Sequence, residues 1–342
     1  MLFGADGQNL LWSDRALRKF VLWRSVINAS SFRYVYGPVP SRRLGRSLGI
    51  DLVPFKTCTY DCIYCQLGRT TNKTLERREY VPVEEVLAEL ERKLATADSP
   101  DYISLAGSGE PTLNSGIGEM VSRIKKLTNI PVAVLTNGSL LSMGEVQDAL
   151  MKADLVLPSL DAGDQHIFHY VNRPHRDISF ETMVEGIASF TKRFSGQVWL
   201  EVFLLGGVNS IPAEVEKIAA FVRRIRPDRV QLNTVSRPPV EEYAYPLPEK
   251  QMHVLKGLFP GVVEVISPFK QVNPVTIADS PFQNTEIISL LGRRPCTANG
   301  VASGLGINPI EATKRLQVLC QQRILKHVHR DGELFYELAR DI

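Results

Sequence analysis

The sequence predicts an α/β fold: a partial barrel or an open doubly wound sheet of six parallel strands, followed by a small C-terminal winged helix-turn-helix domain. From about residue 35 to about residue 236, short apolar runs alternate with longer amphipathic stretches, as in repeated β-α units. Connections rich in proline and glycine break this alternation between residues 236 and 282. At 342 residues and 44% apolar composition, the chain is long enough for one large core and one satellite.

The six predicted strands are separated by helices. The stretch from Val83 to Ala95, for example, follows Pro82 and places its apolar residues on one face, which predicts an amphipathic helix. In both candidate arrangements the chemistry belongs at the carboxyl ends of the strands. The strands are predicted near residues 48–53, 102–106, 132–136, 155–158, 198–205 and 229–233.

The pattern divides the chain into four segments. Residues 1–32 are predicted to form an N-terminal helical extension, residues 33–240 the core barrel, residues 241–282 an extension and linker, and residues 283–342 the winged helix-turn-helix domain. In the last segment Thr297 is expected to cap a second helix, and Asn308 and Pro309 to start a third. Two short apolar runs flank Asp331 and Gly332 and predict a two-stranded wing.

Composition and charge exclude several classes of protein. An ordinary charged fraction of 23%, with 14 Phe, 10 Tyr and 3 Trp, excludes a disordered, collagenous or coiled-coil chain. The net charge is only +3, although the first 75 residues carry eleven Lys and Arg against four Asp and Glu. No apolar stretch approaches the roughly 20 residues of a membrane span. We therefore expect a cytoplasmic protein with no membrane partner, whose five cysteines are ligands or free thiols.

Three of those cysteines, Cys58, Cys62 and Cys65, lie within eight residues. A loop this short can place three thiolates around one compact inorganic centre. A zinc ion would need a fourth ligand, and the first histidine of the chain is His166. Three thiolates on a four-iron cluster leave one iron without a protein ligand. A structural zinc loop and unconnected thiols remain the alternatives, with Cys296 as a remote fourth ligand.

The Cys-x3-Cys-x2-Cys spacing, with Tyr64 just before the last cysteine, resembles the radical S-adenosylmethionine (SAM) superfamily. Three further segments at successive strand ends are similar to motifs of that family, and the resemblance covers residues 35–240. They are the glycine-glutamate segment Gly107, Gly109, Glu110 and Pro111, the turn with Thr136 and Asn137, and the segment with Ser159 and Asp161.

The resemblance implies a cofactor pair and a role for each motif. Cys58, Cys62 and Cys65 would hold a [4Fe-4S] cluster whose open iron chelates SAM. Glu110 would pair with the ammonium group of SAM, and Tyr64 would pack against its adenine. The remaining expected SAM contacts are Gly107, Gly109, Pro111, Thr136, Asn137, Ser159, Asp161 and Asn233.

Two segments, residues 36–51 and 169–175, are similar to the wyosine-synthase-like branch of the superfamily. The best-known members of that branch rebuild a tRNA guanosine and carry extra N-terminal cysteines for a second cluster. Residues 1–57 contain no cysteine. The substrate is therefore unassigned, with RNA or a protein or peptide as first expectations.

Four basic residues near the cysteine loop are the candidates for substrate binding or catalysis: Arg42, Arg43, Arg46 and Lys56. The three arginines suit an anionic substrate or a phosphate backbone, and a solvated loop is the alternative for them. Lys56 flanks the cysteine loop, where a cation raises the potential of a cluster or docks a reductase.

The leading hypothesis is a radical SAM enzyme of unassigned substrate that reductively cleaves SAM to a 5′-deoxyadenosyl radical. Such an enzyme needs an electron donor such as flavodoxin or ferredoxin. The second hypothesis is an iron-sulfur redox-sensing regulator that binds nucleic acid through the winged domain, and the third is a zinc-stabilised interaction protein. Residues 285–342 hold eight Lys and Arg against six Asp and Glu, so their charge leaves nucleic-acid binding undecided.

Overall fold

The computed structural model describes residues 32–96, 99–266, 284–330 and 332–339. The predicted N-terminal helical extension, residues 1–32, lies outside these ranges except for Phe32. Within the described ranges, no helix combines the length and the apolar character that crossing a bilayer requires. The described chain forms one large sheet with helices and a smaller C-terminal unit.

The large sheet has eight strands in the order β1-β2-β5-β6-β7-β8-β9-β10. Strand β1 is antiparallel to β2, and every other neighbouring pair is parallel. Short strands β3 (Thr57–Cys58) and β4 (Asn72–Lys73) pair separately within the cysteine loop. The eight strands are β1 Val35–Ser41, β2 Gly45–Asp51, β5 Tyr102–Ala106, β6 Val132–Leu135, β7 Leu155–Leu157, β8 Gln197–Phe203, β9 Arg229–Asn233 and β10 Val263–Val265.

The strand order increases along the sheet without a reversal. Because β-α-β crossovers are right-handed, an unreversed order places the connecting helices on one face and lets the sheet curl into a partial barrel. A doubly wound sheet, the other arrangement that the sequence allows, requires a reversal of strand order. The helices between and after the strands are α1 Val83–Thr96, α2 Ile117–Leu127, α3 Gly144–Leu150, α4 Gln165–Asn172, α5 Phe180–Arg193, α6 Pro212–Ile225 and α7 Glu249–Lys256.

Helix and sheet packing follows from the burial pattern of the sequence. Helix α1 has acidic residues in its first turn and buries Val86, Leu87 and Leu90 against the sheet. Strands β6 and β7 are buried along almost their whole length, as expected of strands covered on both faces. A second cluster that includes Leu157 and Trp199 forms a separate apolar layer from the large core.

All six predicted parallel strands are confirmed, and two strands of the large sheet were missed. Strand β1 pairs with β2 through a tight turn, and β10 adds a parallel strand beside β9. Helix α7 and strand β10, which add to the sheet beyond β9, fall in the segment 241–282 that was predicted as an extension and linker. The three-residue strand Val263–Val265 was hidden among prolines and glycines that break the apolar alternation.

Residues 284–339 form the C-terminal unit, with helices α8 Asn284–Arg293, α9 Ala298–Leu305 and α10 Pro309–Gln321. Its three-stranded sheet has the order β11-β13-β12, from Cys296–Thr297, Glu333–Leu338 and Leu325–Arg330. The Thr297 side chain accepts a hydrogen bond from Gly300 N, and Asn308 caps α10 through Ile310 N. The helices and strands predicted for this segment are present.

The C-terminal unit packs directly on the edge strand β1. Tyr36 and Val39 of β1 share an apolar cluster with residues of α8, α9 and α10. Arg293, at the end of α8, forms an ion pair with Asp51 at the end of β2, with 2.9 Å between Nε and Oδ2. On the other side, Arg330 Nη2 donates to the carbonyl oxygen of Ala244 at 3.1 Å. The unit therefore contacts both the first edge of the barrel and the segment after β9.

Candidate active site

The cysteine loop leaves the carboxyl end of β2 and is held by backbone hydrogen bonds to neighbouring strand ends. Lys56 N donates to Ser108 O at 2.7 Å, and Glu110 N donates to Thr57 O at 3.1 Å. On the other side of the loop, Ile63 N donates to Val171 O at 2.9 Å. Side chains add to these backbone contacts, since Thr59 Oγ1 lies 2.8 Å from Ser139 Oγ and accepts a hydrogen bond from Asn137 Nδ2 at 2.7 Å.

Each of the three cysteine sulfurs accepts a hydrogen bond from the nitrogen of a different side chain. Such N–H donors stabilise negative charge on a ligating sulfur, and they tune the potential of an iron-sulfur centre. The contacts join Lys56 Nζ to Cys65 Sγ at 3.1 Å, Asn137 Nδ2 to Cys58 Sγ at 3.7 Å and Asn172 Nδ2 to Cys62 Sγ at 3.6 Å. The donor set fits a thiolate-bound, negatively charged cluster.

Burial raises the pKa of two of the three cysteine thiols. Burial, with the nearby charge of Glu110, raises the pKa of Cys58 to about 12, and burial also raises the pKa of Cys62. Burial opposes the charge of Lys56, but Cys65 outweighs it and raises the pKa of that ammonium. Because ligands must be thiolates, a cationic centre has to displace the thiol protons when it binds.

The arrangement of the thiols argues against the alternative of a structural zinc ion. Among the described residues, no three His, Cys, Asp or Glu side chains come close enough to share one metal ion. All five cysteines are free thiols, and Cys296 lies in β11 of the C-terminal unit. A larger multinuclear centre fits three separated thiols better than a single four-coordinate ion does.

Glu110 lies at the end of the turn after β5 and is only 1% exposed. Its Oε1 accepts from Thr112 N, Thr112 Oγ1 and Thr136 Oγ1, and its Oε2 accepts from Asn137 N at 2.7 Å. Three donors crowd Oε1, whereas Oε2 accepts one hydrogen bond and keeps acceptor capacity for a further donor. Glu110 joins two strand-end turns in this structure, and its pairing with the SAM ammonium stays a prediction.

Gly107 and Gly109 are required by packing within the protein. Gly107 has φ +108°, and a Cβ there would lie 1.7 Å from Asp51 Oδ1. A Cβ on Gly109 would lie 1.8 Å from the carbonyl oxygen of Thr57. The structure packs this turn on β2 and the cysteine loop, which is a second reason for glycine beside the predicted close approach of a ligand, and that approach stays a prediction.

Asp161 follows β7 and is 3% exposed. It accepts hydrogen bonds from Tyr64 OH at 2.5 Å, from Asn172 Nδ2 at 2.8 Å and from Phe203 N at 3.0 Å. The Tyr64 ring stacks on Phe203 with 4.0 Å between ring centroids. The carboxylate expected to contact SAM is thus engaged by the protein, while Ser159 lies partly exposed beside it and bridges to β8.

The interior of the barrel holds an ion pair between Arg43 and Glu201. Glu201 also accepts from Asn233 Nδ2 at 2.7 Å, so the side chain expected to bond the adenine edge is already paired. Burial opposes the Glu201 charge, but Arg43 outweighs it, so the pKa of Glu201 lies below its ordinary value. Arg42, beside Arg43, is partly buried.

The other two basic candidates lie apart. Lys56 has a left-handed backbone, with φ +57°, and a buried side chain directed at Cys65. Arg46 is exposed near the amino end of β2, where its N–H donates to Asp101. The cysteine loop follows the opposite end of that strand. The structure therefore does not bring Arg46 to the site.

Sequence reasoning missed five groups that the fold brings to the site. Asn172 lies in a segment whose resemblance was noted, and its neighbour Arg173, at φ +45°, ends helix α4 beside the cysteine loop. Asp51 likewise ends the noted segment 36–51, and the remaining groups carry no local signal because their neighbours come from distant parts of the chain. The missed groups are Asn172, Asp51, Gln66, Arg237 and Arg293.

The Radical SAM superfamily model matches residues 52–222, which include the cysteine loop and strands β5 to β8. The chain belongs to the radical SAM superfamily. Members of this superfamily use a [4Fe-4S] cluster and SAM, and the predicted superfamily is confirmed.

Among similar proteins, a GTPase Obg of Brachyspira hyodysenteriae is 38% identical over 308 residues, which are 88% of this chain and 45% of that protein. A UPF0026 protein of Helicobacter pylori strain J99 is 35% identical over 295 residues, covering 84% of this chain and 92% of that one. A solved radical SAM methyltransferase from Sphaerobacter thermophilus has a TM-score of 0.49 at 18% identity, covering 64% and 66% of the two chains.

Proposed function

We propose that the chain is a radical SAM enzyme whose cluster is held by Cys58, Cys62 and Cys65. The observation that carries the proposal is the set of three separated thiols, each with a nitrogen donor, at the carboxyl end of β2. When bound, the cluster supplies one electron for the cleavage of SAM to methionine and a 5′-deoxyadenosyl radical. Superfamily membership favours this enzyme over a redox-sensing regulator.

The polar groups around the cysteine loop then serve to orient the cofactors. Glu110 fixes the turns after β5 and β6 relative to each other, which leaves backbone groups of residues 107–110 and Asn137 to meet SAM. Asp161 fixes Tyr64 against Phe203 and holds Asn172 at Cys62. Both carboxylates act as positioning residues. Lys56 neutralises part of the charge on the cysteine sulfurs.

We further propose that the C-terminal unit is a winged helix-turn-helix domain that closes the side of the barrel. Its three helices and the hairpin of β12 and β13 have the order of that fold. The exposed part of α10 offers Ile310 and the ion pair of Arg315 with Glu311, which is a weak phosphate-binding surface. The contacts with β1 and Ala244 support a capping role over a nucleic-acid-binding role.

The sequence similarity of residues 36–51 and 169–175 supports a relationship of this chain to the wyosine-synthase-like branch. The turn between β1 and β2 and the end of α4 both lie against the interior or the cysteine loop, so these segments line the region where a substrate would bind. An electron donor of the flavodoxin or ferredoxin type completes the proposed reaction.

The test is formation of 5′-deoxyadenosine by anaerobically reconstituted, dithionite-reduced protein. We expect the wild type to convert SAM to 5′-deoxyadenosine and the Cys62→Ala variant to lose at least 99% of that rate, because two remaining thiolates do not retain the cluster. Cys320→Ala is the matched control, since Cys320 is a partly exposed thiol of the C-terminal unit. Equal rates in Cys62→Ala and the wild type would contradict the proposal.

A further inference from the structure

Three arginines from separate parts of the chain form a cluster inside the molecule. Arg42 comes from the turn between β1 and β2, Arg237 from the segment after β9, and Arg294 from the C-terminal unit. The charges of Arg42 and Arg294 both act on Arg237, and Arg294 also acts on Arg42. These three residues are called the arginine cluster below.

The arginine cluster has no carboxylate partner of its own in the described part of the chain. The two nearby carboxylates are already engaged, since Glu201 pairs with Arg43 and Asp51 pairs with Arg293. Arg237 Nη1 donates to Gln66 Oε1, a neutral group, at 3.1 Å. Neighbouring ion pairs therefore leave three guanidinium charges without a matching carboxylate.

The environment of the arginine cluster opposes its charge. Burial, followed by the charge of Arg294, lowers the pKa of Arg237, although Cys296 and a hydrogen bond to its side chain act in the opposite direction. Burial and the charge of Arg43 lower the pKa of Arg42. A guanidinium does not lose its proton in proteins. The free-energy cost of burying these charges is therefore offset by a bound anion rather than by deprotonation. All three residues are partly exposed.

The arginine cluster adjoins the cysteine loop. Gln66, which binds Arg237, directly follows Cys65, and Val240 N donates to Cys65 O at 3.1 Å. A ligand held by Arg237 therefore lies within reach of chemistry at that loop. No part of the SAM assignment above uses these three arginines.

We propose that the arginine cluster binds the phosphate group of a small phosphorylated substrate, an inference that rests on the proposed function. A phosphate monoester or diphosphate carries close to two or more negative charges and several acceptor oxygens, whereas a carboxylate carries one charge and two oxygens. Three guanidiniums therefore match a phosphate better. The C-terminal unit contacts both β1 and Ala244, which favours a small ligand over a polymer.

The placement of Arg294 gives the C-terminal unit a part in substrate binding. Arg293 fixes the end of α8 against Asp51 and lies over the Tyr36 ring at 4.3 Å from its centroid. The next residue is Arg294, so the same contact positions both side chains. The barrel without the C-terminal unit would offer only two of the three guanidiniums.

The test measures pyrophosphate binding to the cluster-loaded full chain by calorimetry at constant ionic strength, with succinate and a tRNA-sized RNA as comparison ligands. We expect saturable binding of pyrophosphate and at least tenfold weaker binding in Arg237→Met and in Arg294→Met, as each removes a charge-assisted contact. Arg223→Met is the control, because Arg223 is exposed on α6. We expect its affinity to equal that of the wild type.

A second measurement does not depend on the variants folding. In the wild type, pyrophosphate should protect Arg237 and Arg294 from modification by phenylglyoxal, while Arg223 remains reactive. Unchanged affinity in both cluster variants, equal affinity for succinate, or RNA binding that survives both variants would overturn the inference. Wild type that forms 5′-deoxyadenosine but binds no pyrophosphate rejects only this inference, whereas wild type that forms none rejects the proposed function itself.

Discussion

The strand ends around the cysteine loop and the arginine cluster differ in how their charges are paired. At the strand ends, the carboxylates of Glu110 and Asp161 accept four and three hydrogen bonds from the protein. In the arginine cluster, the three guanidiniums have no carboxylate among the described residues. In the first region the carboxylates find their hydrogen-bond donors within the protein. In the second region a ligand supplies the negative charge that pairs with the guanidiniums.

This difference indicates a division of labour. A cofactor that is always the same can be met by a fixed framework, whose polar groups are ordered before it binds. A substrate that enters and leaves needs a site whose electrostatic free energy falls when it arrives. The strand ends therefore serve the shared chemistry, and the arginine cluster sets the specificity of this chain.

The largest effect on the strand-end framework is expected from Gly107→Ala. The new Cβ would meet Asp51 Oδ1 at 1.7 Å and hold an alanine at φ +108°. Overpacking and a positive φ together cost about 3–4 kcal/mol of the free energy of unfolding, measured as a fall in the denaturation temperature. Gly207→Ala is the matched control, with φ +73° and nothing within 4 Å. Equal destabilisation by both would show that the packed framework does not matter.

A somewhat smaller effect is expected at the junction of the two regions, in Arg293→Ala. The change leaves the carboxylate of Asp51 without its cation, and both side chains are less than a fifth exposed. We expect a loss of about 3 kcal/mol, with hydrogen exchange in α8 rising more than in the barrel strands. The exposed ion pair of Arg224 with Glu185 provides the control Arg224→Ala, for which we expect at most about 1 kcal/mol. Unaltered hydrogen exchange in α8 would show that the ion pair of Arg293 with Asp51 does not hold the C-terminal unit, and with it Arg294, against the barrel.

The smallest effect concerns pH. Burial is the main cause that raises the pKa of Asp161 to about 6. Because this value lies above that of an unfolded aspartate, about 4, the stability contributed by its protonation is complete below about pH 4 and lost as the pH rises through about 6. In cluster-free protein, wild type should therefore lose about 2 kcal/mol relative to Asp161→Asn between pH 4 and pH 7.

Asp164 is the control for that pH dependence, because it lies three residues further on and shifts in the opposite direction. A hydrogen bond from Ile167 N and the Lys217 charge lower the pKa of Asp164. Wild type should then lose stability relative to Asp164→Asn as the pH falls. A pH-independent difference for Asp161→Asn would show that its carboxyl group is not held in the buried network.

Much of the fold was predictable because local patterns determine it. Apolar alternation located the six parallel strands, and capping residues such as Thr297 and Asn308 located the C-terminal helices. Strand β10 was not predictable, because three residues carry no period and its burial comes from β9 and α7. The residue types of the site were predictable from the cysteine spacing and strand-end motifs.

The use of those residues was less predictable. Sequence alone cannot show that Thr112, Thr136 and Asn137 donate to Glu110, because these donors come from two turns. The arginine cluster combines residues separated by more than 250 positions, from Arg42 to Arg294. Only the packing of the C-terminal unit on β1 brings them together, and no local signal encodes that contact.

The central claim, that three thiols hold an iron-sulfur cluster open to SAM, is tested most directly by electron paramagnetic resonance of the reduced, anaerobically reconstituted chain. We expect iron and labile sulfide in equal amounts and a cluster signal that changes when SAM is added. Stoichiometric zinc without sulfide, or a cluster signal that SAM leaves unaltered, would contradict the claim.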